Sequence, residues 1–187
     1  MPATRLTLIA HASTRAQKRG CFALDESLEM DWQQAALSLA QRFKRAPVVV
    51  CGPEARTRQT ATLYAEQPQV DEALRDCDFG RWKGLAIDEV QRTEPEALQA
   101  WLSDCTSAAH GGESFVQVQE RVGRWLHSLE QAQGQIVAVT RPFVIRAALL
   151  HVMQSPPALF NLIDVEPLSS TELRFNNLWR LRLETHT

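Results

Sequence analysis

Three short apolar runs constrain this fold more than any other feature. Arg5–Ala10, Val48–Cys51 and Gln135–Thr140 are too short for stable helices. They are also too continuously apolar for strands with one wet face. Helical spacing recurs between them. Trp32 to Phe43 carries Trp32, Ala35, Ala36, Leu39 and Phe43 at helical intervals before Pro47. Arg56 to Glu66 and Val144 to Met153 are expected as the helices that follow the second and third runs. Inner strands alternating with helices predict a mostly parallel sheet covered on both faces. The expected class is therefore α/β, a three-layer α/β/α sandwich.

Between the second and third runs the chain changes character. Leu74 to Ala109 is richer in Gly, Trp and charge, and predicts loops with short helices at Asp88–Arg92 and Glu94–Leu102. His110-Gly111-Gly112 reads as a turn. A long amphipathic helix should start at Glu113 or Ser114 and reach about Gln131, burying Val116, Val118, Val122, Trp125, Leu126 and Leu129. Pro156-Pro157 is a break, and Leu162 to Leu183 alternates well enough for two or three strands at the sheet's edge. No repeat or linker interrupts residues 1–187, so one domain is the economical reading.

Composition removes several classes of partner. A net charge of −2 and a pI near 6.2 give no electrostatic reason to expect nucleic acid or an anionic membrane. The N-terminal apolar patch stops at His11, too short for a signal peptide, and nothing else approaches a spanning length. Cys21, Cys51, Cys77 and Cys105 are scattered without a C-x-x-C pair, and the histidines lack H-x-x-x-H spacing. This usage favours a reducing cytoplasm and argues against disulfides or a structural metal. Any attraction for an anion must come from a local cluster.

The ends of the predicted strands supply one. In an open α/β sheet ligands bind beyond the carboxyl ends of the strands. Those positions hold His11 after the first strand, Arg56 shortly after the second and Arg141 directly after the third. Asp76-Cys77-Asp78-Phe79-Gly80 lies between them in sequence. Guanidiniums present paired N–H donors that match phosphate oxygens, an imidazole is a nucleophile, and a carboxyl can protonate a departing oxygen.

These residues lie in blocks that resemble the histidine phosphatase superfamily, the phosphoglycerate-mutase-like proteins. The opening R-H-G-x-T/S block corresponds to Ala10-His11-Ala12-Ser13-Thr14. The P-x-x-R-T-x-Q-T-A block is intact as Pro53 to Ala61, and L-x-E-x-D-F-G-x-W-x-G corresponds to Leu74 to Gly84. His110-Gly-Gly-Glu-Ser114 follows, and V-T/S-H-x-x-V-I-R-A corresponds to Val139 to Ala147. The resemblance runs from about residue 5 to 150 in the family's order. It implies a phosphohistidine at His11, a phosphate clamp at Arg56, and Asp76 as the acid that protonates the leaving alcohol. It also implies that no metal or other cofactor takes part.

Two positions depart from the family pattern in the phosphate shell. Ala10 stands where the family has an arginine, and Arg141 where it has a second histidine. Asp76 replaces the more usual glutamate, a mild change. A guanidinium has thus been lost at 10 and gained at 141. Arg141 either restores the phosphate clamp from a neighbouring strand end or pairs with Asp76 and plugs the pocket. The function implied is a metal-independent phosphomonoesterase of the compact phosphatase branch, including the α-ribazole-phosphate phosphatase type, acting on a small phosphorylated metabolite. The alternative is an impaired relative that binds a phosphorylated ligand or protein without turnover. Arg15, Lys18 and Arg19 either recruit an anionic substrate or are simply solvated. Trp82, Trp101 and Trp125 read as packing residues, Arg146 as structural, and the edge strands leave a homodimer open.

Overall fold

A computed structural model of the protein describes residues 3–29, 32, 33, 43 and 46–183. Six strands form one sheet in the order β3-β2-β4-β1-β5-β6: β1 Thr4–Ala10, β2 Val48–Cys51, β3 Gln69–Val70, β4 Gly134–Thr140, β5 Ser170–Asn176 and β6 Leu178–Arg182. The β1–β4, β2–β4 and β2–β3 pairs are parallel, whereas β5 and β6 add antiparallel at one edge. The helices are α1 Arg15–Lys18, α2 Ala55–Ala61, α3 Ile87–Thr93, α4 Pro95–Ser103, α5 Phe115–Ser128 and α6 Pro142–Val152.

Because successive strand side chains point to opposite faces, the inner strands feed two cores. Leu6, Leu8, Ile136 and Ala138 pack with Val118, Val122 and Leu126 of α5 and with Ile145 and Ala148 of α6. Ile9, Val49, Cys51, Val137 and Val139 pack on the other side with Ala61 of α2. The apolar runs are continuous because both faces are covered, and the expected α/β fold is the observed one.

Local departures have local causes. Helix α2 was expected to reach Glu66 but stops at Ala61, where Leu63 and Tyr64 donate to carbonyls three residues back and tighten the chain into turns. Strand β3 was not expected; its two residues are exposed and too few to leave an alternating pattern. Helix α5 begins in a reciprocal cap: Gln117 N donates to Ser114 Oγ, and Ser114 N to Gln117 Oε1. It ends at Ser128, before Gln131, and Val116 and Leu129 are only half-buried. The tail holds two strands. The helix expected over Trp32–Phe43 lies, apart from Trp32, Gln33 and Phe43, outside the described residues. Among the described residues no helix is long and apolar enough to cross a membrane.

Candidate active site

Strand register brings two of the expected residues together. Ala10 is paired with Thr140 across the parallel β1–β4 ladder, and His11 N donates to Thr140 O at 3.0 Å. His11 and Arg141 are therefore the first residues beyond neighbouring strand ends, and Arg141 caps helix α6. Arg56 enters from β2, at the second position of α2. The loop after β1 is tied to the same helix, because Ala12 N donates to Thr60 Oγ1, which itself donates to Arg56 O.

His11 is 1% exposed, and its Nδ1 lies 2.6 Å from Ala12 O. A carbonyl oxygen only accepts, so Nδ1 carries the proton and Nε2 keeps its lone pair. Burial, reinforced by the positive charge of Arg141, pushes the His11 pKa down to about 3; the Ala12 hydrogen bond opposes this and Arg56 adds to it. The imidazole is neutral at pH 7.

Arg56 is also 1% exposed. Its Nη1 donates to Leu24 O at 2.7 Å and its Nη2 to Asp76 Oδ2 at 3.1 Å. Arg141 Nη1 stands 2.7 Å from the same Asp76 Oδ2, off the line of a hydrogen bond. The guanidinium at position 141 thus faces Asp76, and one carboxylate oxygen is shared by two cations. Burial pushes the Asp76 carboxyl up, while Arg141 and then Arg56 pull it back. Four buried nitrogens of these three residues have no hydrogen-bond partner among the described residues: His11 Nε2, Arg56 Nε, and Arg141 Nε and Nη1.

Arg56 and Asp76 line a cleft of about 370 Å³, together with Leu24, Asp25, Arg75 and Lys83. His11 and Arg141 are not on its wall. Lys83 Nζ is 2.7 Å from Asp78 Oδ1 at its rim. Arg15 and Lys18 on α1, and Arg19 just after it, are exposed. His110 is buried among Phe79, Trp82 and Trp101 rather than at the mouth of the cleft. Its turn needs glycine: a Cβ on Gly112 would stand 1.9 Å from Asp78 O. Arg146, on α6, stacks over the Phe160 ring beyond the helix. Among the described residues no group of three or more His, Cys, Asp or Glu side chains could hold a metal.

Glu54 is a contributor that residue-by-residue reading passes over. Its Oε1 accepts from Asp76 N at 2.6 Å. It lies inside the intact Pro53–Ala61 block, and that position was the available signal.

The model of the histidine phosphatase superfamily (branch 1) matches residues 6–183. The chain is 34% identical over 133 residues to the bifunctional protein Rv2228c of Mycobacterium tuberculosis, covering 65% of this chain and 36% of that protein. It thus spans about a third of the length of such relatives. It is 31% identical over 157 residues to a glucosyl-3-phosphoglycerate phosphatase of Mycolicibacterium vanbaalenii, covering 79% of this chain and 70% of the other. The solved mycobacterial glucosyl-3-phosphoglycerate phosphatase Rv2419c in complex with VO3 superposes with a TM-score of 0.82 at 27% identity, over 96% of this chain and 97% of that one. With the five motif blocks in order on a matching sheet, this chain belongs to the histidine phosphatase superfamily, branch 1.

Proposed function

We propose that the chain is a metal-independent phosphomonoesterase acting on a small phosphorylated metabolite, with His11 as nucleophile. The observation that carries this is the neutral His11 ring, whose Nε2 lone pair is unpartnered beside two arginines that also hold unpartnered N–H groups. The phosphatase names borne by similar proteins support the same class.

The substrate phosphoryl group draws the Arg56 and Arg141 guanidiniums away from Asp76 and onto its own oxygens. A buried carboxylate that loses two cations rises in pKa and takes up a proton. His11 Nε2 then attacks phosphorus while the ester P–O bond breaks, and Asp76 gives its proton to the departing oxygen. In the second half, water attacks the phosphohistidine, Asp76 takes the water's proton, and the N–P bond breaks to restore His11. The guanidiniums hold the charge on the three non-bridging oxygens throughout.

The test is rapid quenching during turnover of p-nitrophenyl phosphate. An acid-labile, alkali-stable phosphoryl group on His11, missing in His11→Asn, is the expected result. The Arg141–Asp76 ion pair and Ala10 favour a second reading, in which a phosphorylated ligand is bound without turnover. Phosphate or vanadate binding with neither labelling nor release of p-nitrophenol would establish it instead.

A further inference from the structure

Asp76 belongs to no helix or strand, yet its segment is held at almost every residue by side chains from elsewhere. Helix α5 supplies most of these. Trp125 Nε1 donates to Asp71 Oδ2 at 2.9 Å. One turn earlier on the same face, Arg121 is 7% exposed and donates to three carbonyls of the segment: Ala73 O at 2.7 Å, Arg75 O at 3.1 Å and Asp76 O at 3.3 Å. The intervening Leu74 O accepts from Thr140 Oγ1 at 2.7 Å.

Glu113, just ahead of α5, completes the arrangement. Its carboxylate takes Arg121 Nε at 3.1 Å and Nη2 at 3.0 Å, a two-point pairing that fixes the plane of the guanidinium. The same carboxylate accepts from Asp78 N at 3.1 Å and from Arg75 Nη2 at 2.6 Å. Glu113 N donates to Asp78 O at 2.7 Å. The pair thus grips the backbone on both sides of Asp76.

We infer that Glu113 and Arg121 are positioning residues for the reaction: together they set where the Asp76 carboxyl stands relative to the leaving oxygen. The inference rests on the acid role proposed for Asp76. The alternative is a pair that only stabilises the fold, and the two differ in how the loss depends on the leaving group. An alkoxide needs a proton as it departs, whereas p-nitrophenolate hardly does. Displacing the acid slows the first and spares the second.

The experiment compares glycerol 2-phosphate with p-nitrophenyl phosphate in wild type, Glu113→Gln, Arg121→Lys and Asp76→Asn. Trp125→Phe is added because it keeps the apolar packing while removing one hydrogen bond to the segment. Glu113→Gln and Arg121→Lys should lower kcat/KM, which reports phosphoryl transfer to His11 and not the water step both esters share, roughly 10- to 100-fold for the alkyl ester and by no more than about threefold for the aryl ester. Trp125→Phe should move the same way by less. Asp76→Asn should show the same selectivity more strongly. Equal losses on both esters in the Glu113 and Arg121 variants, or no loss on either, overturn the inference while a selective Asp76→Asn leaves the acid assignment standing. A non-selective Asp76→Asn, or a wild type that turns over neither ester, removes the acid assignment and the inference with it.

Discussion

The two halves of the site are built by different means. His11 and Arg141 project from the ends of β1 and β4, whose backbones are locked in a seven-pair parallel ladder between two cores. Asp76 sits on a segment with no ladder, ordered by Glu54, Glu113, Arg121 and Thr140 from four other places in the chain. A strand end is located by backbone pairing, so its side chain can be exchanged without moving its neighbours. A loop fixed by side chains moves when any distant one of them is changed.

Substitutions at three residues and a pH series can break or sharpen that contrast. The largest effect is expected for His11→Asn, which should abolish the phosphoenzyme and cut turnover about 10³-fold or more while leaving the fold intact. Unaltered turnover would end the strand-end half as the source of the nucleophile. Arg56→Lys should follow, at about 10²–10³-fold in kcat, because a point charge cannot hold Leu24 O and present paired donors to a phosphoryl group together. Steady-state kinetics checks this.

Arg141→Ala should weaken vanadate or phosphate binding by about 10- to 100-fold, the value of a charged hydrogen bond or two. Isothermal titration measures it, and equal affinity in both proteins would leave Arg141 as a cation serving only Asp76. Arg141→His restores the family residue and asks the same question through turnover.

The smallest effect concerns stability. The His11 pKa in the folded chain is about 3 against an ordinary value of 6.5. Between those values the unfolded chain binds a proton that the folded chain refuses. Stability therefore rises with pH across this window and falls as the medium is acidified. Melting temperatures from pH 3.5 to 7.5 should drop less steeply on acidification in His11→Asn than in wild type. Parallel curves would contradict the buried neutral imidazole.

The same contrast explains what could be read from the sequence. Arg5–Ala10, Val48–Cys51 and Gln135–Thr140 are legible as inner strands because burial on both faces leaves neighbouring apolar residues, Leu8-Ile9-Ala10, Val48-Val49-Val50-Cys51 and Ile136 to Val139, where a half-wet strand would alternate. His11, Arg56 and Arg141 stand out as candidates because strand ends are where such sheets bind ligands. Strand β3 was missed because two exposed residues carry no period. The direction taken by the Arg141 side chain was left open, since it depends on the local balance between a carboxylate and a neighbouring cation. Trp125 and Arg121 lie on an ordinary amphipathic helix; periodicity marks the first as core and says nothing of the loop that both of them hold. Hydrogen bonds spanning 45 to 54 positions have no local sequence pattern at all.

The carboxylate wedged between Arg56 and Arg141 has one more consequence. On the proposed mechanism such a pocket carries its own competitor: an arriving anion must outbid Asp76 for both guanidiniums, so only the difference in their attraction counts towards affinity. Tight retention of the product is discouraged by the same rivalry. As inorganic phosphate loosens, the Asp76 carboxyl gives up the proton it took from water and pairs again with the cations, which helps to expel the product. Saturation should then come late and release early, the behaviour of a catalyst whose rate tracks the supply of its substrate.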